Sequence, residues 1–166
     1  MAAKRIIQLG DPLLREISTP LPDAASAAGV LEDLRDTLHE FQRTNGFGRG
    51  ISAVQIGVPV RVIYMEFKGV YYCLINPEFD FLSEEKFRLW DDCFSFPNLL
   101  VQLERSVKVR IHYMDETGVR REVAVSGAFS ELIQHEMDHL DGMLAVDREA
   151  DRNSFCTREE WVRRYR

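Results

Sequence analysis

The sequence lacks several features that would assign it to a class at once. It has no uninterrupted apolar run of about 18 residues, and its first 14 residues, MAAKRIIQLGDPLL, contain no apolar segment of the kind found in secretion signals. We therefore expect no membrane span and a cytoplasmic location. The three cysteines are too few, and odd in number, for a disulfide framework, which agrees with a reducing compartment.

Positive charge is also scarce. Lys and Arg number 21 against 27 Asp and Glu, so the formal net charge is −6. Because nucleic-acid affinity comes mainly from clustered basic side chains, this balance argues against direct nucleic-acid binding. The 166 residues are 45% hydrophobic and 29% charged, as in ordinary globular proteins, and we expect one domain over residues 1–166.

The first half of the chain reads as a helix followed by strands. Apolar residues at helical spacing predict a helix from about residue 23 to 44, ended by Asn45-Gly46. The Gly-rich segment GFGRGISAVQIG (46–57) follows and is not expected to be helical. Strand-like runs then occupy residues 60–67, 70–75, 78–90, 107–114 and 119–125.

Two further helices are predicted after the strands. One begins at an N-cap, Ser126, and stops at Gly142, and a short one has capping-box spacing between Thr157 and Glu160. Without βαβ alternation, this order predicts an α+β fold. We expect antiparallel sheets packed around the second helix, with an N-terminal helix and a short C-terminal helix.

Two of the four histidines stand four residues apart in QHEMDHLDGML (134–144). On a helix, His135 and His139 share one face with Glu131 and Leu132. The opposite face is apolar and suffices to anchor the helix, with Phe129, Ile133, Met137 and Leu140. The spacing H-E-x-x-H therefore predicts a metal site with Glu136 beside it, and the alternative is a pair of solvated surface histidines.

A metal site built on two imidazoles needs a third protein ligand. The metallopeptidase pattern H-E-x-x-H-x-x-G-x-x-H fails here, because its last position is Ala145. A downstream carboxylate, Glu159 or Glu160, is one candidate. Cys93 in WDDCFSFPN is another, although a buried cysteine is by default a small apolar residue. The residues by themselves leave both routes open.

Three segments, taken in order, resemble the motifs of the peptide deformylases. GRGISAVQ (48–55) is similar to G-x-G-[IL]-A-A-x-Q, DDCFS (91–95) to E-G-C-[LV]-S, and QHEMDHLDG (134–142) to Q-H-E-x-D-H-L-x-G. The third motif matches in full and the other two in part, and the similarity extends over nearly the whole chain. The resemblance implies a metal-dependent hydrolase that removes the formyl group from the N-terminal formyl-methionine of a peptide or nascent chain.

The resemblance also implies roles for particular residues. It assigns one divalent ion, Fe(II) in the cell with Zn(II) or Ni(II) able to replace it, to Cys93, His135 and His139. Glu136 becomes the proton shuttle, and the side chain of Gln55 and the backbone N–H of Phe94 donate to the developing oxyanion. Asp138 is expected to hold a histidine or nearby backbone.

The substrate residues come from the same resemblance. A peptide bound as an added β-strand needs bare backbone at Gly48 and Gly50. Arg49 and Glu131 replace apolar residues that line the methionine pocket in the family, where Leu132 is also placed. An isolated charge in a closed pocket is unfavourable, so we expect the two charges to pair and to favour a small or polar first side chain over methionine. The alternative is that both point to water.

The cysteine motif departs from the family at two residues. Asp91 keeps a carboxylate and is expected to pair with Arg105, whereas Asp92 adds a negative charge beside Cys93. Two rival functions stay open: a metallopeptidase with a downstream Glu ligand, and a catalytically weak metal-binding relative that binds peptide N-termini. Association with the ribosome is also left open.

Overall fold

The computed structural model describes residues 3–166, so that Met1 and Ala2 of the expected domain lie outside the described part. Its helices and antiparallel sheets form the predicted α+β fold. The helices are α1 (Ala28–Asn45), α2 (Ala128–Leu140) and α3 (Arg158–Tyr165). The strands are β1 (Gly50–Ser52), β2 (Val62–Phe67), β3 (Val70–Leu82), β4 (Lys86–Asp92), β5 (Leu99–Ser106), β6 (Lys108–Met114), β7 (Arg120–Ser126) and β8 (Phe155–Thr157).

The strands form two antiparallel sheets. One has five strands in the order β1-β2-β3-β6-β7, and the other has three in the order β4-β5-β8. The β2–β3 hairpin turns at Lys68 and Gly69, between the strand runs predicted at 60–67 and 70–75. The run predicted at 78–90 is two strands in different sheets, with the break at residues 83–85. β5 was missed because both of its faces are largely buried, which hides the alternation typical of a half-exposed strand.

Helix α1 begins later than predicted. Asp23 accepts hydrogen bonds from the backbone and hydroxyl of Ser26 at 2.8 Å, which closes a turn before the helix. The predicted end is confirmed, because Gly46 follows Asn45 in the left-handed conformation. The apolar face of α1 packs against β1 and β2 through Leu31, Leu34 and Leu38.

Helix α2 is buried along almost its whole length, from Phe129 to Leu140. Its predicted apolar face packs against the five-stranded sheet. The N-cap prediction was wrong: Ser126 ends β7, and Gly127 makes the turn from strand to helix. The stop is confirmed, because α2 ends at Leu140 and Gly142 follows shortly after it in the left-handed conformation.

Helix α3 follows β8 directly and begins as predicted. The Thr157 hydroxyl accepts a hydrogen bond from the backbone N–H of Glu160 at 3.3 Å. Because β8 pairs with β5, the helix lies against the three-stranded sheet. Among residues 3–166, no helix combines the length and the apolar character needed to cross a bilayer.

Candidate metal centre and cleft

Helix α2 and the end of β4 bring three potential metal ligands together. Ligand atoms of Cys93, His135 and His139 all lie within 4.8 Å of one another. His139 Nε2 is 3.3 Å from Cys93 Sγ. All three side chains are buried, so the alternative of solvated histidines is wrong.

Asp91 orients the first histidine. Both of its carboxylate oxygens lie 3.0 Å from His135 Nδ1, which leaves Nε2 for an ion. The predicted pair with Arg105 is confirmed, because Nη2 of Arg105 donates to Asp91 at 3.0 Å. Burial alone would raise the pKa of Asp91, but His135 and Arg105 outweigh it and hold the pKa at about 2. Asp91 is therefore a fixed anion behind the imidazole.

The donor set fits a divalent cation. Burial lowers the pKa of His139, and the neighbouring His135 adds to the effect. Burial also acts to lower the pKa of His135, but the charge of Asp91 raises it well above its ordinary value. Among residues 3–166, His139 Nδ1 is buried without a hydrogen-bond partner. A thiol and two imidazoles converging in a buried site are a set that zinc-type ions take up after loss of the ligand protons.

The expectation for Asp138 was wrong. Its carboxylate accepts from Arg105 Nη1 at 2.5 Å and from Arg148 Nε at 2.6 Å. Position 138 is one residue, or about 100°, around the helix from His139, so its side chain reaches these two arginines. Asp91 orients a histidine, and Asp138 fixes the arginine that holds Asp91.

Glu136 lies between the metal ligands and the Gly-rich strand. Its Oε2 accepts a hydrogen bond from Ser52 Oγ at 2.6 Å. Burial raises the pKa of Glu136, although His135 and the hydroxyl of Ser52 oppose that rise. A Cβ on Gly50 would lie 2.8 Å from Glu136 Oε1 and 3.1 Å from Leu132 Cδ1. The bare backbone at Gly50 is thus needed for β1 to pass this carboxylate.

Gln55 and Phe94 flank the cysteine. Gln55 Nε2 lies 3.5 Å from Cys93 Sγ and donates to Ser95 Oγ at 3.2 Å, while its Oε1 accepts from the backbone of Ser52. The ring of Phe94 approaches the Gly-rich segment so closely that a Cβ on Gly48 would lie 2.6 Å from it. The side-chain amide of Gln55 therefore lies beside the ligand set, and the backbone N–H of Phe94 directly follows Cys93 in the chain.

A cleft of about 490 Å³ opens beside these residues. Its walls include every predicted substrate residue: Gly48, Arg49, Gly50, Glu131 and Leu132. Sequence reasoning missed the other wall. It is lined by Trp90 of β4, by Arg158, Trp161 and Val162 of α3, and by Arg166, which follows α3. A usable signal was the position of Trp90 directly before the cysteine motif.

The predicted ion pair in the cleft is confirmed. Arg49 Nη2 lies 2.7 Å from Glu131 Oε2, and Nη1 donates to the carbonyl of Ala128 at 3.2 Å. The side chain of Glu131 is 8% exposed and that of Arg49 is 43% exposed. The alternative, that both charges point to water, is therefore wrong, because the side chain of Glu131 is buried. Burial and the charge of Asp91 raise the pKa of Glu131, and Arg49 acts against that rise.

The downstream carboxylates lie elsewhere. Glu160 accepts hydrogen bonds from Arg163 and Arg164, which hold its pKa at about 2, and Glu159 is exposed. Within residues 3–166, the candidate metal group that contains both histidines is completed by Cys93. The metallopeptidase alternative therefore lacks its third ligand.

Known proteins with similar sequences decide the family. The polypeptide deformylase family model matches residues 3–155. The chain belongs to the peptide deformylase family. The peptide deformylase of Hyphomonas neptunium is 35% identical over 154 residues, covering 89% of this chain and 85% of that protein. Peptide deformylase 2 of Clostridium perfringens is 35% identical over 150 residues, covering 89% of this chain and 94% of that protein.

Solved deformylase structures share the fold. The Thermotoga maritima peptide deformylase superposes with a TM-score of 0.85 at 29% identity, covering 91% of this chain and 100% of that one. The Synechococcus elongatus enzyme, solved with actinonin, gives 0.82 at 26% identity, covering 95% of this chain and 84% of that one. This family member is a metal-dependent deformylase, and the metallopeptidase alternative is not favoured.

Proposed function

We propose that this deformylase holds its divalent ion with Cys93, His135 and His139 and removes the formyl group from formylated peptide N-termini. The observation that carries the proposal is the convergence of three buried ligand atoms within 4.8 Å. By analogy with the family the ion is Fe(II) in the cell, and Zn(II) or Ni(II) can replace it. When bound, such an ion acidifies a water molecule and polarises a carbonyl group.

The chain's own residues handle the proton and the oxyanion. Glu136 accepts a proton at its carboxylate and passes it to the departing amine, and its bond to Ser52 Oγ fixes the side chain for both steps. The side-chain amide of Gln55 and the backbone N–H of Phe94 steady the formyl oxygen as it gains charge. Because Glu136 is buried, its charge is little screened by solvent.

The substrate peptide lies along β1. In the described part of the chain this strand ends its sheet and pairs only with β2, so its other edge is available to an added strand. Gly50 lets β1 pass close to Glu136, and Gly48 lets the segment before β1 pass the ring of Phe94. The arrangement suits an extended peptide whose formyl carbonyl group reaches the three proposed metal ligands.

The first side chain of the peptide then meets Leu132 and the Arg49–Glu131 pair. Glu131 lies one helical turn before His135, and their ligand atoms lie within 4.8 Å. A methionine side chain would have to remove water from this ion pair without offering it a hydrogen bond. Small or polar first side chains are accordingly preferred.

The partner is a formylated peptide or nascent chain, and the catalytic unit is residues 1–166. Contact with the ribosome and a cytoplasmic location remain predictions that rest on the family resemblance and on the sequence.

Metal content tests the ligand assignment. Cys93→Ala, His135→Ala and His139→Ala should each lose most bound metal under mild chelation, because each removes one of three protein ligands. Cys73→Ala and Cys156→Ala are matched controls and should retain it. Full occupancy in Cys93→Ala would show that the cysteine is not a ligand.

Glu136→Gln tests the proton shuttle. The variant keeps the size of the side chain and a hydrogen-bonding oxygen for Ser52, so we expect normal metal content. The turnover number should fall about 100-fold or more, the usual scale for general acid–base catalysis. Near-normal turnover with metal bound would exclude Glu136 from this role.

A further inference from the structure

Arg158, the first residue of α3, makes contacts on both sides of the cysteine loop. Its Nη2 forms an ion pair with Asp92, the residue before Cys93. Its Nε donates to the carbonyl of Pro97 at 2.5 Å, and its backbone N–H donates to the carbonyl of Asn98 at 2.8 Å. The guanidinium thus joins the two ends of the segment that contains Cys93.

The same guanidinium reaches the opposite wall of the cleft. Its central carbon lies 4.5 Å from the ring centroid of Phe47, in the Gly-rich segment that leads into β1. Arg158, Asp92 and Phe47 all line the cleft. Four contacts therefore fix the position of Arg158, and through it the position of the Asp92 carboxylate.

Asp92 is an acidic side chain in the cleft, next to a proposed metal ligand. Carboxylate oxygens are ready ligands for divalent ions, and a catalytic site of this kind depends on one position left for water or substrate. Asp92 adjoins Cys93 in sequence, yet within residues 3–166 it belongs to neither candidate metal group that contains His135. Its side chain is 36% exposed, so no dense packing holds it. Within residues 3–166, the ion pair with Arg158 is the polar contact that the Asp92 carboxylate makes.

We propose that Arg158 is a positioning residue that keeps the Asp92 carboxylate away from the open metal position and the reacting formyl group. Helix α3 thereby becomes part of the catalytic unit. This inference rests on the proposed ligand set. It concerns how a residue outside that set keeps one coordination position free for water or substrate.

A double-mutant cycle between Arg158 and Asp92 tests the inference. In Arg158→Gln, which keeps much of the length but removes the charge, turnover should fall about tenfold, the lower end of effects from residues that support a metal site. In an Asp92→Ala background, the same Arg158→Gln change should alter turnover less than about threefold. Arg158→Lys keeps the positive charge beside Asp92 but loses the Nε bond to Pro97, so its turnover should lie between that of Arg158→Gln and that of the wild type.

The Co(II)-substituted proteins give a readout independent of turnover. Entry of a carboxylate raises the coordination number and weakens the visible d–d bands, so Arg158→Gln should show weaker bands and the double variant should recover them. Equal losses in both backgrounds, or an unchanged spectrum in Arg158→Gln, would overturn the proposal. If the wild type lacks formyl-peptide turnover, or Cys93→Ala keeps its metal, the proposed function itself fails, which is a separate outcome.

Discussion

Replacing Arg49 with Ile should destabilise this deformylase more than replacing both members of the Arg49–Glu131 pair. Arg49→Ile leaves a carboxylate that is 8% exposed without its 2.7 Å partner. Glu131→Ile leaves an arginine that is already 43% exposed and can turn to water. The double variant leaves neither charge and adds apolar surface next to Leu132.

The magnitudes follow from burial. Breaking a fully buried ion pair by removing one partner costs about 3–5 kcal/mol. Arg49 is half-exposed, so solvent already screens part of the attraction, and we expect a loss of about 2 kcal/mol for Arg49→Ile. Glu131→Ile should cost about 1 kcal/mol or less, as for a surface pair. The double variant should lie close to the wild type, with a coupling energy of about 2–3 kcal/mol.

The assay combines denaturant unfolding with kinetics on formyl peptides that differ only at the first residue. Burying a methionine-sized side chain in an apolar site stabilises by about 1.5–3 kcal/mol. The double variant should therefore raise kcat/KM for formyl-Met relative to formyl-Ser by about tenfold or more. The wild type should favour formyl-Ser, or show weak turnover of formyl-Met.

Two results would refute the reasoning. Additive stability changes across the four proteins would mean that the pair does not interact in solution. Efficient wild-type turnover of formyl-Met, with no gain in the double variant, would mean that the first side chain does not meet this pair. Metal content of each variant is the control, because neither residue is a proposed ligand.

Further measurements address other parts of the site. Gly50→Ala should reduce turnover sharply with little change in metal content, because its Cβ would lie 2.8 Å from Glu136 Oε1. Gly29→Ala is the matched control, since a Cβ at Gly29 would have no neighbour within 4 Å. In the metal-free protein, folding lowers the pKa of Asp91 from 3.8 to about 2, so its stabilisation is present above about pH 4 and lost as pH falls toward 2. Asp91→Asn should therefore flatten the pH dependence of unfolding in that window, and an unchanged slope would contradict it. Burial raises the pKa of Cys73 to about 12, and the charge of Glu116 adds to the rise. Cys73 should therefore resist alkylation at pH 8 in the folded protein, and rapid labelling would count against the burial of its thiol.

Local patterns were enough to predict much of this protein. The i, i+4 histidines, the apolar face of α2 and the caps at Gly46 and Thr157 are properties of neighbouring residues, and the structure agrees with them. The pairing of Arg49 with Glu131 followed from two charges at positions that the family resemblance assigned to one pocket. The same local reasoning failed at Ser126, because that residue ends β7 and Gly127 makes the turn into α2.

Other features depend on residues that only the folded chain brings together. Cys93 is 46 positions from His139, and periodicity within one helix does not show which distant side chain completes its metal face. The orienting role went to Asp91 and not to Asp138, because β4 carries Asp91 to His135 while Asp138 faces two arginines. Asp92 and Arg158 are 66 positions apart and meet because β8 pairs with β5 and sets α3 against the cleft. Sequence determines which side chains are available along a helix or strand, whereas the contacts between sheets decide which of them share a site.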